Sequence, residues 1–278
     1  MRIRIIPDVH GFDWWKEVTT DIDTCDYVIF LGDYVDEWKL GDEIIINNLL
    51  DIIAFARSYP DKVVLLYGNH CLQYAFKDLF GFCSGFRSSY AYTLHEIYNE
   101  NKDLFKFIFY IDTIKDSRLV FSHAGISLGW VRTNYMSINP EHCTYLWEET
   151  NVDMDKFKDF QCSHIYEYIN NAQDSAKILS IINSVSYFRG GWCNFGGPLW
   201  ADMQETYTDW LKNDGEKNLI QIVGHTPQKH QLCKHYYSKD RLSSIHFCDL
   251  GSKIADITLD VSLDTAHFNH GKNSCIII

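Results

Sequence analysis

A series of short apolar runs, each cut off by a polar motif of Asp, Asn, His and Gly, constrains this chain more than any other feature. Arg2-Ile3-Arg4-Ile5-Ile6 leads to Asp8-Val9-His10, and Tyr27-Val28-Ile29-Phe30-Leu31 leads to Gly32-Asp33-Tyr34-Val35-Asp36. Lys62-Val63-Val64-Leu65-Leu66-Tyr67 leads to Gly68-Asn69-His70. Arg118-Leu119-Val120-Phe121 leads to Ser122-His123-Ala124-Gly125, and residues 219–223 lead to Gly224-His225-Thr226. Continuous β-branched and aromatic runs suit strands buried on both faces of a sheet. Between the second and third runs, Ile44, Ile45, Leu49, Ile52, Ile53 and Ala56 fall near helical spacing over 41–58. Asp42 is the expected N-cap, and Tyr59-Pro60 the stop. Strand, helix, strand makes a βαβ unit, and open α/β sheets bind ligands beyond the carboxyl ends of their strands, where these motifs sit.

Further strands are expected at 118–122, 219–223, 244–249 and 254–259. Helical patterns occupy 72–108 and 140–183, and a glycine-rich loop covers 184–202. No repeat, low-complexity run or linker divides the chain. The expectation is one domain over 1–278, with the helical stretches at about 72–108 and 140–183 inserted so as to cover the site. With 46% apolar residues the chain can bury a large core. No stretch approaches the roughly 20 apolar residues of a membrane span, and the start of the chain is too soon polar for a secretory signal. A formal net charge of −12 argues against extended nucleic-acid binding, which needs Lys and Arg on the phosphates. The nine cysteines are an odd number, scattered and without a Cys-x-x-Cys pair. That favours a reducing compartment, the cytoplasm, over a disulfide framework. The Cys275-Ile-Ile-Ile terminus formally fits a prenylation box, but a final strand or frayed tail is the expected reading.

The motif residues are oxygen and imidazole donors, the set that suits hard-to-borderline divalent ions. Asp8, His10 and Asp33 can hold one ion. Asp33, Asn69, His123 and His225 can hold a second, the two oxygens of Asp33 bridging the pair. Two ions about 3.5–4 Å apart can share a hydroxide nucleophile and clamp a phosphoryl group. His70 is left without an ion and is the expected general acid, with Asp36 orienting it and keeping it protonated. Any one motif is common by chance; the ordered set at similar strand ends is not. The aromatics between 74 and 92, Tyr74, Phe76 and Tyr90 among them, are expected to pack the core.

Taken together, Asp8-Val9-His10, Gly32-Asp33, Gly68-Asn69-His70, Ser122-His123 and Gly224-His225 resemble the calcineurin-like metallophosphoesterase superfamily, from Asp8 to about Gly251. Gly32-Asp33-Tyr34-Val35-Asp36 and Ser122-His123-Ala124-Gly125-Ile126-Ser127 look like its phosphoprotein phosphatase branch. Gly224-His225-Thr226-Pro227 looks like the bacterial and phage members, which include symmetrical diadenosine tetraphosphate hydrolases. The resemblance implies an α/β fold, a four-layer α/β/β/α sandwich around two central mixed sheets. It also implies two divalent ions, manganese foremost, with iron or zinc as alternatives. Many relatives carry a second histidine where this chain has Thr226.

Two departures stand out. After the bridging aspartate the branch reads Asp-Arg-Gly, its arginine gripping phosphate, whereas Glu37-Trp38 follows Asp36 here; and Cys71 stands where an acidic residue follows Gly-Asn-His. A glutamate repels phosphate oxygens, so Glu37 either meets a cationic or hydroxyl-bearing part of the substrate or pairs near Lys39. A substitute clamp is expected from Arg189, set before a glycine pair, with Arg87 as second candidate. Leu199-Trp200-Ala201-Asp202 is expected to pack under the site. The expected activity is hydrolysis of a phosphate ester on a small molecule, nucleotide or phosphoprotein. The alternatives are a nucleotide pyrophosphatase or phosphodiesterase and, in another class, a metal-binding scaffold without turnover.

Overall fold

The computed structural model describes residues 1–76, 82–113, 117–138, 163–208, 219–228, 233–238, 243–251, 253–262, 266–270 and 273–276. Twelve strands form two mixed sheets flanked by helices. The first sheet has the order β12-β11-β10-β1-β2-β3-β4, from β1 (Arg2–Ile6), β2 (Tyr27–Phe30), β3 (Val63–Leu66), β4 (Phe105–Lys106), β10 (Ile257–Val261), β11 (Ala266–His270) and β12 (Asn273–Ile276). Strands β1 to β4 run parallel, and β10 to β12 add antiparallel strands at the other edge. The second sheet has the order β5-β6-β7-β9-β8, from β5 (Ile108–Asp112), β6 (Arg118–Ser122), β7 (Leu219–Val223), β8 (Lys234–Tyr237) and β9 (Ser244–Phe247). Here β6, β7 and β9 are parallel, with β5 and β8 antiparallel at the edges.

The apolar runs form the central strands for the reason their composition suggests. Ile3, Ile5, Val28, Ile29, Phe30, Leu65 and Leu66 of one sheet, and Leu119, Val120, Phe121, Ile222 and Phe247 of the other, are buried in one continuous cluster. The parallel β2–β3 pair is joined by α2 (Asp42–Ser58), which turns Ile45, Leu49, Ile52, Ile53 and Ala56 inward at helical spacing. Asp42 opens this helix without capping it; the cap position is Gly41, and the Asp42 carboxylate accepts from Arg87 Nη1 at 2.7 Å instead. A tertiary partner has displaced a local one.

The expected strands at 2–6, 118–122 and 219–223 match, while 244–249 and 254–259 shift to 244–247 and 257–261. The 72–108 stretch holds the end of α3 (Asn69–Ala75) and all of α4 (Ser88–Glu100), then returns to strand at Phe105 and Ile108. Within 140–183 the described helices are Ser163–Asn171 and Ala176–Ile182; residues 139–162 lie outside the described ones. The final strand expected near Cys275 is β12. What matters for the site is that the carboxyl ends of β1, β2, β3, β6, β7 and β9 open onto one cavity.

Candidate active site

The motifs after β1, β2 and β7 leave their strands in strained turns, while Gly68-Asn69-His70 opens α3. Among the described residues, the non-glycine positions with positive φ are His10 (45°), Asp33 (47°), Asp36 (76°) and His225 (64°). Such conformations cost on the order of 1–3 kcal/mol apiece and persist only where surrounding structure imposes them. All of these residues stand at the proposed centre. The glycines ahead of them allow the backbones to cross: a Cβ on Gly68 would run into the Asp33 side chain and amide, and one on Gly224 into Asp8 Oδ1.

The turns bring the donors together. Asn69 Oδ1 lies 2.9 Å from His123 Nε2 and 2.9 Å from His225 Nδ1, and those two nitrogens are 3.1 Å apart. Asp33 Oδ2 is 3.3 Å from the same His123 nitrogen. On the other side of Asp33, Asp8, His10 and Asp33 also present ligand atoms within 4.8 Å of one another. Backbone carbonyls set the tautomers. His123 Nδ1 donates to Leu31 O at 2.8 Å and His10 Nδ1 to Val35 O at 2.8 Å, which turns each Nε2 lone pair toward its cluster. Lone pairs converging from two imidazoles, an amide oxygen and a carboxylate repel one another unless a cation lies among them, so the residues fit a metal pair.

The charge balance agrees. Asp8, Asp33 and Asp249 are each 2% exposed around the cavity, and buried carboxylates without compensating charge cost several kcal/mol apiece. Burial and the neighbouring Asp249 push Asp8 well above the ordinary carboxylate range. Burial acts on Asp33 in the same direction, but His123, His70 and His10 outweigh it and hold its carboxyl low. Asp33 also accepts the His70 backbone N–H, on the first turn of α3, at 3.0 Å.

His70 stands one residue beyond Asn69 on α3, and its Nδ1 bonds Asp36 Oδ2 at 2.9 Å. Burial alone would lower its pKa; Asp33 and Asp36 reverse this and push it up to about 12. Asp36 is held in turn by Gln73 Nε2 at 2.6 Å, Tyr74 OH at 2.6 Å and Tyr90 OH at 2.7 Å. Tyr74 and Tyr90 are buried as expected of core aromatics, yet their hydroxyls also bond Asp36, whereas Phe82 and Tyr92, expected in the core with them, are each 69% exposed.

The cavity, about 400 Å³, is lined by Asp8, His10, Asp33, Asn69, His70 and His225, with Cys83, Ser84, Arg189, Trp200, Pro227 and Asp249 completing the wall. Of the two arginines singled out from the sequence, Arg189 reaches it. Asp202 Oδ2 lies 3.2 Å from its Nε, and its Nη2 donates to Thr226 Oγ1 at 2.6 Å. Arg87 does not line it: Nη1 donates to Leu40 O at 2.9 Å and to Asp42, and Nη2 to Glu37 O, so it ties down the loop after Asp36. The Glu37 carboxylate folds back to accept the Lys39 backbone N–H at 2.9 Å and is not on the cavity wall. Trp200 packs edge-on to His225, ring centroids 5.6 Å apart, with its Nε1 on Asn183. Cys71 is fully buried, its sulfur 3.4 Å from Gly68 N, and burial pushes its thiol up to about 12.

Asp249 was missed at the sequence level, although it carries the common signal, a polar residue just past a buried strand. Reading β9 through to residue 249 hid it; the strand ends at Phe247, and Asp249 turns to accept the Gly251 N–H at 2.8 Å. Cys83 and Ser84 follow no such signal.

A model of the calcineurin-like phosphoesterase family matches residues 1–160. The chain belongs to that family. No curated protein sequence matches this phosphoesterase. Among solved structures, it is similar to a cold-active protein-tyrosine phosphatase of a psychrophilic Shewanella species at 16% identity and TM-score 0.53, covering 100% of this chain and 80% of that one. Another structure described as a cold-active protein tyrosine phosphatase aligns at 17% identity and TM-score 0.54, covering 99% of this chain and 78% of that one. At these identities the likeness speaks to the fold, which agrees with the two mixed sheets flanked by helices.

Proposed function

We propose that this phosphoesterase is a binuclear metal-dependent hydrolase of phosphate monoesters, with Asp8, His10 and Asp33 at one ion and Asp33, Asn69, His123 and His225 at the other. The observation that carries this reading is the convergence of Asn69 Oδ1, His123 Nε2 and His225 Nδ1 within 3.1 Å of one another, with Asp33 shared by both donor clusters. When bound, the ion pair supplies Lewis acidity and an ionised water nucleophile at neutral pH. Manganese is the ion proposed, since the donors are oxygen and imidazole without thiolate.

The protein's own groups do the rest. Arg189, braced by Asp202 and Thr226, binds phosphate oxygens through its planar fork. His70, held by Asp36 through Nδ1, donates a proton to the leaving oxygen. The strained turns at His10, Asp33 and His225 hold the donors in place before substrate arrives, so no reorganisation is needed at the moment of reaction. Glu37 and Arg87 are given no substrate role, because their side chains bind their own loop. The described cysteines are free thiols, Cys25, Cys71 and Cys248 among them buried, which supports a reducing, cytoplasmic setting. No helix of the described residues is long and apolar enough to cross a membrane.

The test is a substrate panel with manganese-loaded protein: p-nitrophenyl phosphate, phenyl phosphate, phosphotyrosyl and phosphoseryl peptides, bis-p-nitrophenyl phosphate and diadenosine tetraphosphate. Fastest turnover of the monoesters is expected. Preference for the diester or dinucleotide would favour the pyrophosphatase or phosphodiesterase alternative, and two bound ions with no turnover would favour the scaffold.

A further inference from the structure

Cys83 lies on the loop between α3 and α4, half-buried in the cavity wall that also holds His70. Its position is built rather than incidental. Its backbone N–H donates to Gln73 Oε1 at 3.0 Å, and the other end of that amide donates to Asp36 Oδ2 at 2.6 Å. The sulfur sits 3.9 Å from Asn69 Nδ2 and 4.0 Å from Asn69 O. One ligand atom from each of Asp36, His70 and Cys83 falls within 4.8 Å of the other two. This sulfur, nitrogen and oxygen set shares no residue with the donors assigned to the ion pair.

The geometry points to a third metal site at Asp36, His70 and Cys83, one that takes a soft divalent cation, zinc, in preference to manganese or magnesium. Ligand type makes the distinction. The ion pair is offered carboxylate, amide and imidazole only, whereas a thiolate selects zinc and softer ions. Zinc bonds of about 2.0–2.3 Å in a tetrahedron set the ligand atoms a little over 3 Å apart. The His70 Nδ1 to Asp36 Oδ2 separation of 2.9 Å is close to that already. Three protein ligands leave a fourth position for water, as in open zinc sites. As the cation enters, the Cys83 thiol proton and an imidazole proton of His70 pass to solvent, and the sulfur and nitrogen lone pairs are donated to the metal.

Binding here has a consequence for turnover. Zinc bound through His70 Nδ1 takes the place of the proton shared with Asp36, so the ring is a neutral imidazole whose remaining Nε2–H is a weaker acid toward the leaving oxygen than an imidazolium. Zinc at this site is therefore expected to inhibit an enzyme that manganese activates, and the thiolate makes this site fill before zinc exchanges into the pair, which has none. The inhibition rests on His70 acting as proton donor; the binding does not.

The experiment uses full-length protein loaded with two equivalents of manganese and titrated separately with cobalt(II) and zinc. A third equivalent is expected to bind, and the cobalt form is expected to show a thiolate-to-cobalt charge-transfer band in the near ultraviolet. Cys83→Ser should lose the band and the third equivalent and should raise the zinc concentration for half-inhibition at least tenfold. Cys193→Ser and Cys233→Ser, which alter other accessible thiols, should lose neither. A band that persists in Cys83→Ser, a third equivalent filled by manganese alone, or equal zinc inhibition of wild type and Cys83→Ser would each overturn the proposal. If no substrate is hydrolysed under any condition, the band and the stoichiometry still decide the metal site, and only the hydrolytic reading fails.

Discussion

Replacing Asp36 by Asn tests whether the aspartate exists to hold and charge His70. The carboxylate is buried and fully used: His70 Nδ1, Gln73 Nε2, Tyr74 OH and Tyr90 OH all aim at its two oxygens, at 2.9, 2.6, 2.6 and 2.7 Å. A carboxylate accepts about four such bonds, whereas an asparagine turns one of its two oxygens into a donor. The remaining oxygen can keep both tyrosines on the Oδ1 side. The new NH2 then meets the Gln73 amide N–H and the His70 ring N–H, donor against donor. Gln73 cannot flip to relieve this, because its Oε1 holds the Cys83 N–H at 3.0 Å. Losing the charge from a buried, hydrogen-bonded pair costs about 3–5 kcal/mol. For a chain of this size each kcal/mol lowers the melting temperature by about 2–4 °C, so a fall on the order of 10 °C is expected by circular dichroism. Metal content measured by mass spectrometry should stay at two ions, since Asp36 is in neither donor cluster.

The kinetic signature separates proton donation from general damage. General acids contribute about 10²–10⁴-fold, and phenolate needs the proton while p-nitrophenolate leaves without it. With the protein kept well below its melting temperature, Asp36→Asn should lower kcat for phenyl phosphate by at least about a hundredfold and for p-nitrophenyl phosphate far less. Equal losses on both substrates would refute the proton-donor role of the pair. Loss of a metal ion would show that Asp36 or His70 supports the metal centre and that the assignment is wrong.

Arg189→Ala should raise KM for a phosphate monoester at least tenfold, whereas Arg87→Ala should leave KM alone and cost about 1–3 kcal/mol of stability by freeing the Glu37–Asp42 loop, as read by initial rates and urea melts. Gly68→Ala should abolish binding of the second ion in a manganese titration, because its Cβ occupies the space of the Asp33 side chain and amide. His246 gives the pH dependence: burial and the facing His235 push its pKa well below the usual range, with His235 Nδ1 2.7 Å from its Nδ1, Ser244 on its Nε2 and the Tyr237 and Phe268 rings around it. The folded chain therefore binds fewer protons here than the unfolded one, so stability falls as pH drops through about 6.5, by up to about 1.4 kcal/mol per pH unit. His246→Gln should flatten the slope of urea-melt stability between about pH 7.5 and pH 5.5, and an unchanged slope would exclude His246 as its source.

How much of this was legible in the sequence follows from the range over which each feature is decided. The central strands were legible because burial on both faces writes itself as an unbroken apolar run, and the donors because each stands within a few residues of such a run's end. The antiparallel edge strand β8 was not, since Lys234-His-Tyr-Tyr, half in water, carries no unbroken run, nor was β11; β5 has such a run, Ile108-Phe-Tyr-Ile, but it adjoins the stretch whose pattern reads as helix up to 108. Nor could the sequence show that Tyr74 and Tyr90 would meet Asp36, since contacts across 38 and 54 residues depend on how α3 and α4 pack. The positive φ angles at His10, Asp33, Asp36 and His225 leave only a weak trace in residue type: Asp and His are enriched in that region, but most of them elsewhere among the described residues do not adopt it, and tertiary contacts select these four.

The departures at Glu37 and Cys71 make sense only with the packing in view. The arginine that the resemblance implies after Asp36 is replaced by a glutamate whose carboxylate turns onto its own backbone, and the acidic residue it implies after Asn69-His70 is replaced by a thiol sealed in the core. Among the described residues, the lysine or arginine on the cavity wall is Arg189, carried by the 184–202 loop and hydrogen-bonded to Thr226, directly after His225. In the proposed reading the phosphate grip passes from the turn after β2 to Arg189 on the 184–202 loop, which is tied to the turn after β7 through Thr226. In that reading Thr226 is more than the residue that stands where relatives carry a histidine: its hydroxyl ties Arg189, the proposed phosphate clamp, to the position directly after His225, a proposed metal ligand. Thr226→Val, which keeps the shape and removes the hydroxyl, should therefore weaken phosphate binding while both ions stay bound. A variant that loses an ion but keeps its affinity for inorganic phosphate would show that the tie serves the metal centre instead.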